Sequence, residues 1–150
     1  MTAKIELTQP VETPRNPLRN LLWVAPVAIA AATGANLGLY ALAGALAPQV
    51  TAWSGAGIGQ IIGANSAYLF MGAIVFALVA RFSAQPARHY WIVATVGLIL
   101  SLGLPIAAGF GYGAPGAPPA DVTTVVTLSL MHVVAYAISV PMFTRYALSQ

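Results

Sequence analysis

Apolar residues fill this chain in four long runs, at about 21–47, 57–82, 90–109 and 122–146. A bilayer core of about 30 Å needs about 20 apolar residues in a helix, and each run is that long. Only His132 is ionisable within the central part of any run. The breaks differ in chemistry. Residues 48–54 (PQVTAWS) are short and uncharged, and residues 83–88 (SAQPAR) are short and basic. Residues 110–121 (FGYGAPGAPPAD) are rich in glycine and proline, which predicts an irregular loop. Short connections predict an all-α, antiparallel bundle of four transmembrane helices.

Residues 1–19 read differently. They carry Lys4, Glu6, Glu12, Arg15 and Arg19 with three prolines. This composition predicts a flexible tail ahead of a membrane domain over 20–150. The apolar run behind it is longer than the roughly 7–15 residues of a signal-peptide core, so the first run is read as a span.

Four spans put the tail, the second loop and the C-terminus on one side. Lys4, Arg15, Arg19, Arg81, Arg88 and Arg145, all six basic residues of the chain, then share that side, and Asp121 lies on the other. Basic residues mark the cytoplasmic face, so both termini are expected in the cytoplasm of a plasma-membrane protein. Trp23, Tyr90, Trp91 and Tyr146 fall near the cytoplasmic boundary, and Trp53 and Tyr112 near the outer one, where amphipathic rings are favoured.

Composition agrees. The chain is 59% hydrophobic and 6% charged, against roughly 25% charged in soluble domains. A net charge of +3 from scattered residues gives no nucleic-acid surface. There is no cysteine, so thiolate nucleophiles, zinc–thiolate sites and disulfides are excluded. No acidic residue lies within a span, and no phosphate loop, zinc motif or nucleophile elbow is present. No catalytic residue, metal or cofactor is therefore expected. His89 and His132 fall at different depths, which disfavours a haem held between them.

Small residues recur at a spacing of four. Ala30, Gly34 and Gly38 form one row, Gly55, Gly59 and Gly63 a second, and Gly103, Ala107 and Gly111 a third. Such rows let membrane helices approach closely. Packing within one bundle is the expectation here, with a seam between copies as the alternative. Pro105, well inside the third run, predicts a kink.

Polar groups in hydrocarbon are costly and need a reason. At about 1.5 Å per residue, Asn36 lies roughly 25 Å above Arg19, Asn65 roughly 24 Å above Arg81, and His132 roughly 20 Å above Arg145. Tyr40, Gln60, Tyr68, Ser129 and Tyr136 fall nearby in depth. These residues predict an outer-leaflet polar cluster, either a small-ligand site or a set of interhelical hydrogen bonds.

Two stretches carry a family resemblance. Residues 35–40 (ANLGLY) and 128–135 (LSLMHVVA), the latter followed by Val140-Pro141, resemble the first and last helices of the bacterial family called domain of unknown function 6069. Asn36, Tyr40 and His132 match that family's polar pattern. The resemblance implies a four-helix membrane protein over about 20–148 and no particular activity. Two functions are expected. The first is a non-enzymatic accessory or scaffold subunit in the bilayer, as a homo-oligomer or within a larger membrane complex. The alternative is a small-molecule binding or transport protein using Asn36, Tyr40, Asn65, Tyr68, Ser129, His132 and Tyr136.

Overall fold

In a computed structural model, residues 17–112 and 115–148 are described. The expected tail lies outside them up to residue 16, including Lys4 and Arg15. The chain is helical from Pro17 onward. The helices are α1 (Pro17–Leu46), α2 (Gln49–Ala52), α3 (Ile58–Phe82), α4 (Pro86–Ser101), α5 (Gly103–Gly109) and α6 (Val122–Met142). A π-helical turn, Phe143–Ala147, extends α6. Four helices are long and apolar enough to cross a membrane: Leu18–Leu46, Ile58–Phe82, Pro86–Gly109 and Val122–Ala147. The protein is a multi-pass, antiparallel four-helix bundle.

Boundaries follow local chemistry. Pro86 opens α4, four residues before the apolar run, because proline suits a first helical position whose N–H would be unpaired anyway. The helix is interrupted where Pro105 predicts a kink: α4 ends at Ser101 and α5 starts at Gly103. Proline has no N–H to give the carbonyl four residues back, here Ser101, and its ring crowds that carbonyl. Pro26 and Pro141 leave α1 and α6 unbroken.

Asp121 caps α6. Its Oδ1 accepts from the backbone N–H of Thr123 at 2.8 Å and of Thr124 at 3.1 Å, and Oδ2 accepts from the Thr124 hydroxyl at 2.9 Å. The Thr124 N–H, helped by the Thr124 hydroxyl and the Thr123 N–H, holds the carboxyl below the usual carboxylate range. A depressed pKa stabilises the fold above the unfolded value of 3.8, and that stability is lost as pH falls through the lower folded value. Asp121→Ala should therefore lower the Tm in detergent at neutral pH. The wild-type advantage should shrink on acidification below pH 3.8, as thermal scans across pH would show.

The helices form a square. α1 packs on α3 and α6, α4 packs on α3 and α6, and α3 and α6 barely touch across the diagonal. One core lies near the end that carries the described termini. Phe76, Tyr90 and Phe143 meet there, with Phe76 edge-on to Tyr90 at 5.0 Å between ring centres. A second core, with Tyr40, Val50, Ile61 and Met131, lies toward the opposite end. Tyr40 donates to the Ala56 carbonyl at 2.9 Å, and Trp53 Nε1 donates to the Pro118 carbonyl at 2.7 Å, so both connections at that end are tied down. A Cβ at Gly44 would collide with the Thr51 side chain, so glycine lets the corner from α1 into α2 close without moving Thr51.

The glycine rows are a correction. A Cβ added at Gly34, Gly38, Gly59, Gly63 or Gly103 would meet nothing within 4 Å. These residues face away from the bundle and do not pack it. Gly55 lies in the turn before α3 against its neighbour Trp53, and Ala107 is half-buried. The small residues that bring α1 against its neighbours are Ala28 and Ala32, both fully buried.

Candidate functional site

The open diagonal leaves a cavity of about 420 Å³ between α3, α4 and α6, with Asn36 of α1 at its back. Each helix contributes one face. α3 supplies Ile61, Asn65, Tyr68 and Gly72; α4 supplies Tyr90, Ala94, Gly97 and Ser101; α6 supplies Leu128, His132, Ala135 and Ser139. These positions recur every three or four residues, as one side of a helix does. Small residues make the room: Ala64, Gly72, Ala94, Gly97 and Ala135 stand where larger side chains would fill the gap. Tyr90, part of the aromatic core, lines the end nearer the described termini and donates to the Gly72 carbonyl at 3.3 Å.

The cavity is open on one side. Tyr68 and Met71 of α3 are 58% exposed and Val93 of α4 is 43% exposed, although all three line it. The opening therefore lies sideways, on the surface that faces lipid in a spanning bundle. Among the described residues, no Asp, Glu, Lys or Arg lines it. The wall is mostly apolar, with a few polar atoms at mid-length.

Asn36 is central among those atoms. It is 2% exposed, and its Nδ2 donates to Asn65 Oδ1 and to the Met131 carbonyl, both at 3.1 Å. Its own Oδ1 is buried without a partner among the described residues. One side chain thus joins α1, α3 and α6 at a single level. His132 is half-buried, and its Nδ1 lies 2.9 Å from the Leu128 carbonyl, one turn back on α6. Tyr136 lies edge-on to Trp91, and its hydroxyl is 2.7 Å from Thr95 Oγ1. The Thr95 hydroxyl gives its proton to the Trp91 carbonyl, so Tyr136 is the donor in that pair.

Of the seven residues expected to form the cluster, Asn36, Asn65, Tyr68, His132 and Tyr136 line the cavity. Tyr40 and Ser129 do not. Tyr40 reaches past the cavity to the Ala56 carbonyl, and Ser129, a third of a turn from Leu128, bonds the Val125 carbonyl at 2.8 Å. Ser101, Ser139 and Tyr90 were not foreseen. Ser139 was within reach of sequence reasoning, since it follows His132 by seven residues and so lies on the same helix face. Ser101 was not, because its place depends on how α4 packs on α3 and α6. His89 is elsewhere, its Nδ1 2.6 Å from Ser83 Oγ beside the α3–α4 loop. No group of three His, Asp or Glu residues is positioned to hold a metal ion among the described residues.

Compared with known proteins, residues 15–149 match the model of a family described as of unknown function (DUF6069). No curated protein and no solved structure matches the chain.

Proposed function

The chain belongs to DUF6069, a family of unknown function, and we propose that it is a non-enzymatic membrane protein that binds a small lipophilic molecule reaching it sideways from the bilayer. The observation that carries this is the laterally open cavity between α3 and α4. Its volume falls within the roughly 300–1,000 Å³ of small-molecule sites, and its apolar wall with few polar groups has the usual composition of such sites. The absence of charged lining residues favours an uncharged ligand, because a charge there would stay unpaired.

The basic residues Arg19, Arg81, Arg88 and Arg145 share the end that carries the described termini. By the positive-inside rule this end is cytoplasmic, in a plasma membrane, and the polar level around Asn36 then lies in the outer half of the bilayer. A second reading, an accessory or scaffold subunit, draws support from the outward-facing Gly34 and Gly38, a surface suited to close contact with a second copy or another membrane protein. The two readings are compatible.

Gly97→Leu tests the binding reading. A Cβ added at Gly97 meets nothing within 4 Å, so a leucine there starts into the open space of the cavity. Photo-crosslinking of a diazirine-bearing fatty alcohol to purified protein should fall about tenfold with no loss of Tm, as expected when binding volume is lost and packing is not. Undiminished crosslinking in Gly97→Leu would place the ligand elsewhere and overturn the reading.

A further inference from the structure

Two backbone carbonyls dictate which polar atoms the cavity offers. A carbonyl oxygen only accepts, so the Asn36 atom beside the Met131 carbonyl must be nitrogen. The second hydrogen of that nitrogen goes to Asn65, which must therefore turn its oxygen toward Asn36. The amide nitrogen of Asn65, with two hydrogens, then donates to nothing among the described residues, and its side chain lines the cavity. The same logic fixes His132. The Leu128 carbonyl requires a proton on Nδ1, which leaves Nε2 of the neutral ring with a bare lone pair and no partner among the described residues. Because one Asn36 nitrogen bridges Asn65 and Met131, Asn65 is held at the level of Met131 and His132.

At the level of Met131 the cavity thus offers a free donor, Asn65 Nδ2, and a free acceptor, His132 Nε2, among unpartnered lining groups that also include the Tyr68 and Ser139 hydroxyls. We propose that its ligand is an uncharged lipophile carrying a hydroxyl group, whose oxygen accepts from Asn65 Nδ2 and whose proton goes to His132 Nε2. This rests on the lipophile-binding reading above and adds the ligand's class. A hydroxyl is the smallest single group that both donates and accepts. Bulk phospholipid answers the site poorly. Its headgroup stays at the interface, whereas Asn36 lies ten residues, roughly 15 Å, inside the far end of α1. An acyl tail can fill the volume but leaves both polar atoms unanswered.

The test uses the full chain in phosphatidylcholine nanodiscs, with the diazirine-bearing fatty alcohol as probe. Three competitors of equal chain length are compared: 1-tetradecanol, its methyl ether and tetradecane. The ether can accept from Asn65 but has no proton for His132, and the alkane can do neither. The alcohol should compete about tenfold better than the ether, the scale expected when a buried acceptor is left unpaired. In His132→Leu that ratio should fall to about one with ether binding retained, because the histidine's ring bond stays within its own helix and joins no neighbour. In Asn65→Leu both oxygen compounds should weaken while the alkane does not. Equal competition by alcohol and ether in the wild-type protein overturns the hydroxyl inference and leaves lipophile binding standing. No competition by any of the three overturns both. The wild-type comparison decides even if a variant fails to fold.

Discussion

Phe76→Ala is expected to lower the unfolding free energy by about 3 kcal/mol, the lower end of the range for a buried phenylalanine. Phe76 is fully buried on α3 and touches two other rings, Tyr90 of α4 and Phe143 after α6, at 5.0 and 5.7 Å. Three spans therefore meet on one side chain. In lipid the transfer term is largely absent, since the unfolded spans also lie among apolar tails, and what is lost is close contact. That loss is still large, because the other two rings are held by their own helices and cannot collapse into the gap. Reversible unfolding in mixed micelles would measure it. Phe76→Leu should cost about 1 kcal/mol, as a better match in volume. A loss below 1 kcal/mol for Phe76→Ala would mean that the three rings do not anchor this end of the bundle. Since Tyr90 also lines the cavity, Phe76→Ala should weaken ligand crosslinking as well.

The second large effect separates the two faces of α1. Ala32 has no exposed surface, so Ala32→Leu must push α1 away from its neighbours, at about 3 kcal/mol, the upper end for overpacking. Gly38 points the other way into open space. Gly38→Ala should stabilise the isolated chain by about 0.5–1 kcal/mol, because alanine is the better helix former and meets no obstacle. Paired unfolding curves for the two variants would check the contrast. The same Gly38 variant bears on the scaffold reading. If α1 meets a second copy through Gly34 and Gly38, bulkier Gly38→Leu should shift a homo-oligomer toward monomer in size-exclusion chromatography while the fold persists. An unchanged oligomer would remove support for that seam.

Much of the architecture was legible in the sequence. The four spans follow from run length alone: the expected limits 57–82 and 122–146 match α3 and the α6 span to within one residue at each end. The interruption of the third span lies where Pro105 predicted a kink, and the sharing of one end by Arg19, Arg81, Arg88 and Arg145 followed from the span count. The family was legible from residues 35–40 and 128–135. Asn36, Asn65 and His132 were placed in the outer half of the bilayer because helical rise converts position into depth; in the structure Asn36 bonds Asn65 and the carbonyl of Met131, the residue before His132.

Direction around each helix was not legible, and this decided the site. In water, polarity marks the outer face of a helix. In a bilayer the lipid side and the interior are equally apolar, so a row such as Gly34 and Gly38 reads the same whether it faces a neighbour or a lipid tail. Tertiary structure alone turned those glycines outward and Ala28 and Ala32 inward. It also sent Tyr40 to the Ala56 carbonyl rather than into the cavity, and left one polar atom each of Asn65 and His132 unpaired through the fixed polarity of two carbonyls. Length, depth and end depend on the chain taken one helix at a time, and the sequence by itself determined them. Facing depends on which helices touch, and only the assembled bundle sets it.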